Sequence, residues 1–137
     1  MPTGKHTTHG RQRGFTMLEL MVVITVILIL LSLAAGQYRT SIRHAKEATL
    51  AHDLWVMRKA IDAYTLDKQA APQSLQDLVT AGYIYELPVD PITGQRDWVP
   101  VFEEVILSPD QLGTGIANVH SASTSPSLRD GSPYNSW

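Results

Sequence analysis

The sequence predicts an α+β fold, in which one long N-terminal helix packs its second half on a short helix and a small antiparallel sheet. Three observations predict it. Residues 18–35 are apolar except for Glu19, Thr25 and Ser32. No proline follows until Pro72, and Leu50, Leu54, Met57, Ile61 and Tyr64 step by 4, 3, 4 and 3, one face of a helix. Beyond Pro72 the chain breaks into short segments punctuated by proline and glycine, with β-branched and aromatic runs after Asp97.

Residues 1–14 are polar, basic and rich in helix breakers, and read as a leader that takes no part in the fold. His6 and His9 within it have no third metal ligand beside them. The apolar segment starts at Phe15, directly after Gly14, and residues 15–36 are long enough to cross a hydrocarbon core of roughly 30 Å as a helix. A cleavable export signal is the competing reading, with Leu33-Ala34-Ala35-Gly36 imitating its small-residue cut site. Lys5, Arg11 and Arg13 before the span balance Arg39, Arg43 and Lys46 after it, so charge does not set the orientation. Glu19 places a carboxylate where ionised groups are costly and usually functional.

Gly14-Phe15-Thr16-Met17-Leu18-Glu19 followed by an apolar helix resembles the class III signal sequence of type IV pilins and type II secretion pseudopilins. The resemblance implies a type IV pilin-like fold and an N-in orientation. It also implies cleavage between Gly14 and Phe15 and N-methylation of Phe15, both by a prepilin peptidase/N-methyltransferase. Glu19 is then expected to neutralise the Phe15 amine of a neighbouring subunit during assembly. An intrachain Phe15–Glu19 pair is the competing arrangement, because residues four apart share a helix face. Where the family usually has proline this chain has Gly36, a weaker helix breaker by about 2 kcal/mol; Ala34-Ala35-Gly36 is also small enough for close helix–helix approach.

The long helix is expected from Phe15 to Gln69, roughly 80 Å at 1.5 Å per residue. His44, Lys46, Glu47, Asp53, Arg58, Lys59, Asp62 and Asp67 are assigned to its polar faces. A short helix over residues 74–82 has Ser74 as N-cap, Asp77 in its first turn and Gly82 at its end. Leu75, Leu78 and Val79 are expected to face the long helix. Residues 83–94 read as a loop, with Asp90 forming a turn before Pro91 rather than binding a metal. Residues 98–106 are the best strand, at an edge or bulged because Pro100 lacks a donor. Residues 108–115 read as a turn region, 116–120 as a second strand, and 121–137 as a loop with Tyr134 and Trp137 packed back.

This order is similar to that of the G-subunit family, the major pseudopilins of type II secretion. Leu87-Pro88-Val89-Asp90-Pro91 resembles a Leu-Pro-x-Asp-Pro element of that family, and residues 119–137 its C-terminal loop. The family's loop binds calcium, so the resemblance implies Asp130 and Asn135 as ligands, with carbonyls of residues 121–128. The family's acidic loop is replaced here by Ser-Ala-Ser-Thr-Ser-Pro-Ser, although calcium prefers several carboxylates.

The chain thus divides into a leader peptide (1–14), a transmembrane or assembly half of the long helix (15–36) and a periplasmic globular domain (37–137). Of the chain's 11 basic residues, removing Lys5, Arg11 and Arg13 leaves 8 against 13 acidic ones, a net of −5, which argues against nucleic-acid binding. Cysteine is absent, so disulfides, thiolate metal sites and a cysteine nucleophile are excluded. No nucleophile elbow, phosphate loop or His-Glu-x-x-His pattern occurs, and no enzyme is expected. The expected function is a structural subunit of a periplasmic pseudopilus for type II secretion. It would polymerise with like subunits and engage an inner-membrane assembly platform. The alternatives are a type IV or minor pilin for adhesion, motility or DNA uptake, a single-pass anchored binding domain, and a protein secreted after cleavage near Ala35.

Overall fold

The structure is a computed structural model describing residues 1–4, 14, 16–108 and 111–137. Much of the leader, Phe15, and Pro109-Asp110 lie outside the described residues. Its elements in order are α1 (Met17–Lys68), α2 (Leu75–Thr80), β1 (Val99–Ser108), β2 (Gln111–His120) and a single 3-10 turn, Tyr134–Ser136. The architecture is the expected α+β one, and the sheet has two antiparallel strands. The chain forms two compact units, Met1–Arg39 and Thr40–Trp137.

Helix α1 runs unbroken through Gly36. In the first unit, the side chains of Thr25 and Ser32 donate to the carbonyls of Met21 and Leu28, at 2.7 and 2.8 Å. The two hydroxyls in the greasy stretch are therefore satisfied within the helix, as a lipid environment requires. The large apolar side chains from Leu20 to Leu33 remain 47–70% exposed.

In the second unit the predicted stripe is the core. Leu50, Leu54, Met57 and Ile61 are buried, and Leu78, Trp98, Ile116, Val119 and Tyr134 close over them, with Tyr64 and Leu75 packed at the edge. Each such aliphatic residue contributes about 1.5–3 kcal/mol through burial. Gln69 ends the helix with a positive φ of 49° and Pro72 follows. The cap of α2 forms as expected: Asp77 Oδ2 accepts from the Gln73 and Ser74 amides, both at 2.9 Å. At its other end Gly82 takes φ 81°. The Gly82 amide donates to Val79 and the Tyr83 amide to Leu78, a Schellman end.

Asp90 is fully buried and forms the expected turn, its Oδ1 accepting from the Ile92 amide at 2.8 Å. The turn is also tied down. The Ser121 hydroxyl donates to Asp90 Oδ2, and the Trp98 indole donates to the Pro88 carbonyl at 2.7 Å. The Leu-Pro-x-Asp-Pro element therefore staples the loop to the strand and to the tail.

In β1 the irregularity that Pro100 demands appears one residue on, as a register shift between Val101 and Phe102. The turn expected over residues 108–115 is a correction: Gly113-Thr114-Gly115 lie inside β2, paired with Val105, Glu104 and Glu103. Glycine was read as a breaker, whereas Gly115 serves close backbone approach. There the Ile116 amide donates to the Pro72 carbonyl at 2.8 Å, and Gln73 Nε2 donates to the Thr114 carbonyl at 2.8 Å. A Cβ at Gly115 would lie 2.5 Å from the Ala71 Cβ and 3.0 Å from the Pro72 carbonyl oxygen. Gly115→Ala is expected to destabilise the domain by about 1–3 kcal/mol, read as a lower urea midpoint; an unchanged midpoint contradicts the packing.

Candidate functional site

The first site is the start of α1. Thr16 precedes the helix, its Oγ1 accepting from the Glu19 amide at 3.2 Å while its carbonyl accepts from the Leu20 amide at 3.1 Å. Thr16-Met17-Leu18-Glu19 thus has the spacing of a capping box, a signal the sequence reading passed over. Glu19 stands in the first turn, where the helix dipole favours an anion. It is exposed, and among the described residues no ion pair reaches its carboxylate. Gly14 also lies in the described part, whereas Phe15, and with it both forms of the Phe15–Glu19 pair, lies outside it.

The second site is the loop 121–137 and the helix face it closes on. Glu47, assigned to a polar face, is instead 6% exposed and points into the domain. Its Oε1 accepts from the Leu128 amide at 2.5 Å and the Tyr134 hydroxyl at 2.7 Å. The signal was present in the spacing, because Glu47 continues the 3–4 stripe one step before Leu50. Burial alone would raise the Glu47 carboxyl. The Leu128 amide, the Tyr134 hydroxyl and the nearby His44 and Arg43 outweigh it and hold the carboxyl below its ordinary 4.5. Arg58, also placed on a polar face, is half-buried. It donates to Asn118 Oδ1 at 2.7 Å, the Val119 carbonyl at 3.0 Å and the Trp137 main-chain oxygen at 2.6 Å. A charged residue flanking the stripe thus ties β2 and the tail to α1. Tyr134 and Trp137 pack back as expected, ring centroids 5.3 Å apart and edge to face.

Asp130 and Asn135 are the residues that the resemblance implies for calcium. Asp130 Oδ1 accepts from the hydroxyls of Ser127 and Ser132, both at 2.6 Å, and from the Ser132 amide at 3.0 Å. Asn135 is exposed, and its amide donates to the Ser123 carbonyl at 2.8 Å. Among the described residues no group of three or more His, Cys, Asp or Glu side chains is placed to hold a metal. One carboxylate with one oxygen taken by three donors falls well short of the several carboxylates calcium prefers.

An uncovered apolar helix preceded by Gly14, with Glu19 in its first turn and a small α+β domain on its second half, defines a pilin-like subunit of the class III signal type. The prokaryotic N-terminal methylation motif matches residues 9–35. The chain is 36% identical over 119 residues to the type II secretion system core protein G of Klebsiella pneumoniae, covering 75% of this chain and 79% of that one. The protein of the same name from Escherichia coli is 36% identical over 97 residues, covering 59% and 67%. That of Aeromonas hydrophila is 34% identical over 119 residues, covering 75% and 78%. No solved structure matches the chain significantly. The chain belongs to the type II secretion system core protein G family, the major pseudopilins.

Three carboxyls in the second unit sit below their ordinary values. Asp130 is lowered to about 2 by the Ser127 hydroxyl and then the Ser132 hydroxyl and amide, Asp77 is lowered by the Ser74 and Gln73 amides, and Glu47 is lowered as above. A depressed carboxyl stabilises above its unfolded value and loses that contribution as pH falls through its folded value. Stability is therefore expected to be level from about pH 7 to 5 and to fall between about pH 4 and 2. Urea unfolding across that range checks it, and Asp130→Asn is expected to make the fall shallower.

Proposed function

We propose that the chain is a structural subunit of a pseudopilus, polymerising with like subunits through the first half of α1 in type II secretion. The observation that carries this reading is the apolar surface of residues 20–33, which no part of the first unit covers. A surface of that size needs lipid before assembly and neighbouring helices after it. The subunit is held in the inner membrane by a single pass, with residues 37–137 in the periplasm as its globular domain. There the filament acts as a piston or scaffold against the inner-membrane assembly platform. Its role is structural rather than catalytic.

Processing supplies the assembly signal. A prepilin peptidase cuts after Gly14, removing residues 1–14, and methylates the new amine on Phe15. Glu19 of one copy then accepts the amine of the next. Two unpaired charges in a greasy bundle cost several kcal/mol each, and pairing them recovers much of it. This makes the register of the helices depend on a single residue.

Mass spectrometry of the native protein is expected to find a chain beginning at N-methylated Phe15. A retained leader points instead to an anchored binding domain, and a start at Gly36 or Gln37 to a secreted protein. Glu19→Ala is expected to be cleaved normally yet to yield no filaments, read by shearing and electron microscopy. Normal filaments from that variant contradict the pairing.

A further inference from the structure

The loop 121–137 faces α1 with the wrong chemistry for a cation. At Glu47 its inward groups are donors, the Leu128 amide and the Tyr134 hydroxyl, which converge on the helix's carboxylate, while its Pro126 and Trp137 oxygens are taken by the helix's Arg43 and Arg58. A metal ion needs the opposite, a ring of acceptors. The loop's serines behave in the same way. Ser127 and Ser132 turn their hydroxyl protons onto Asp130, and Ser121 turns its own onto the buried Asp90.

Carbonyls that could serve as ligands are engaged too. The Ser123, Ser125 and Ser127 carbonyls accept from the Asn135, Tyr134 and Gly131 amides. The Pro126 carbonyl accepts from the Arg43 guanidinium at 3.2 Å, which puts a fixed positive charge beside the loop. Arg129, next to Asp130 in the chain, adds a second. A divalent cation would have to displace donors and approach two guanidinium groups, with one loop carboxylate to compensate.

We propose that residues 121–137 are latched onto α1 by hydrogen bonds to Glu47, with Asp130 tying the loop to itself, so that the domain folds without a divalent cation. The latch takes the place of the metal in closing the loop. An anion from the helix gathers the loop's donors, where a cation would gather its acceptors.

The test is thermal unfolding of the full chain in detergent, followed by tryptophan fluorescence, in excess EGTA and again in millimolar calcium chloride or magnesium chloride. The same Tm is expected in all three. A saturable rise in calcium that magnesium does not reproduce overturns the proposal. Glu47→Ala leaves the Leu128 amide and Tyr134 hydroxyl without an acceptor and is expected to lower Tm by roughly 5–10 °C, with or without calcium. Glu47→Gln keeps an acceptor and is expected to recover part of that loss, which separates a latch from general misfolding. A Glu47→Ala Tm equal to that of the parent also overturns it. The readout is on the isolated subunit, so it stands or falls separately from filament formation.

Discussion

The structure depends on one constraint: a helix whose first half is apolar on every side needs an apolar cover on every side. The side chains from Leu20 to Leu33 stay 47–70% exposed, and the hydroxyls of Thr25 and Ser32 are returned to the helix's own carbonyls. Such a segment is stable in lipid, where every backbone group is satisfied internally. Leaving the lipid requires an equally apolar cover, which copies of the same helix would supply in the proposed filament. Glu19, in the first turn, opposes this transfer while it is charged and alone.

The second half of α1 solves a different problem. Its stripe from Leu50 to Ile61 has a partner, the domain formed by α2, the two strands and the tail. Apolar burial drives that packing, but the tail holds few large side chains beyond Leu128, Tyr134 and Trp137. Polar ties make up the difference. Glu47 gathers the loop at one level of the helix, and Arg58 gathers β2 and Trp137 three turns further on. Both are charged groups with backbone and side-chain partners, so both fix geometry as well as contribute stability.

Periodicity made the long helix, its core stripe and the caps of α2 legible in the sequence, because those features depend on residues close together in the chain. Pro100 likewise announced an irregular strand. What stayed hidden depends on distant partners. Gly113 and Gly115 resemble turn residues until Ala71 and Pro72 are seen to approach β2. Glu47 and Arg58 look solvated until the tail, some eighty residues later, is seen to bind them. At the start of α1 the N-terminal methylation motif was legible as the compact run from Gly14 to Glu19, and the Thr16 cap was legible too, though overlooked. In the loop 121–137, Ser127 and Ser132 donate to Asp130, an arrangement set by residues close together in the chain.

In the proposed filament the apolar half of α1 is covered by the same half of adjacent copies. The chain has no cysteine, so single cysteines placed across residues 20–33 give cross-links without background. Oxidising assembled material is expected to yield intermolecular disulfides at positions repeating with the helical period, and none once Glu19 is also changed to Ala. Purely monomeric bands at every position would mean that lipid alone covers this helix, and the account would be wrong.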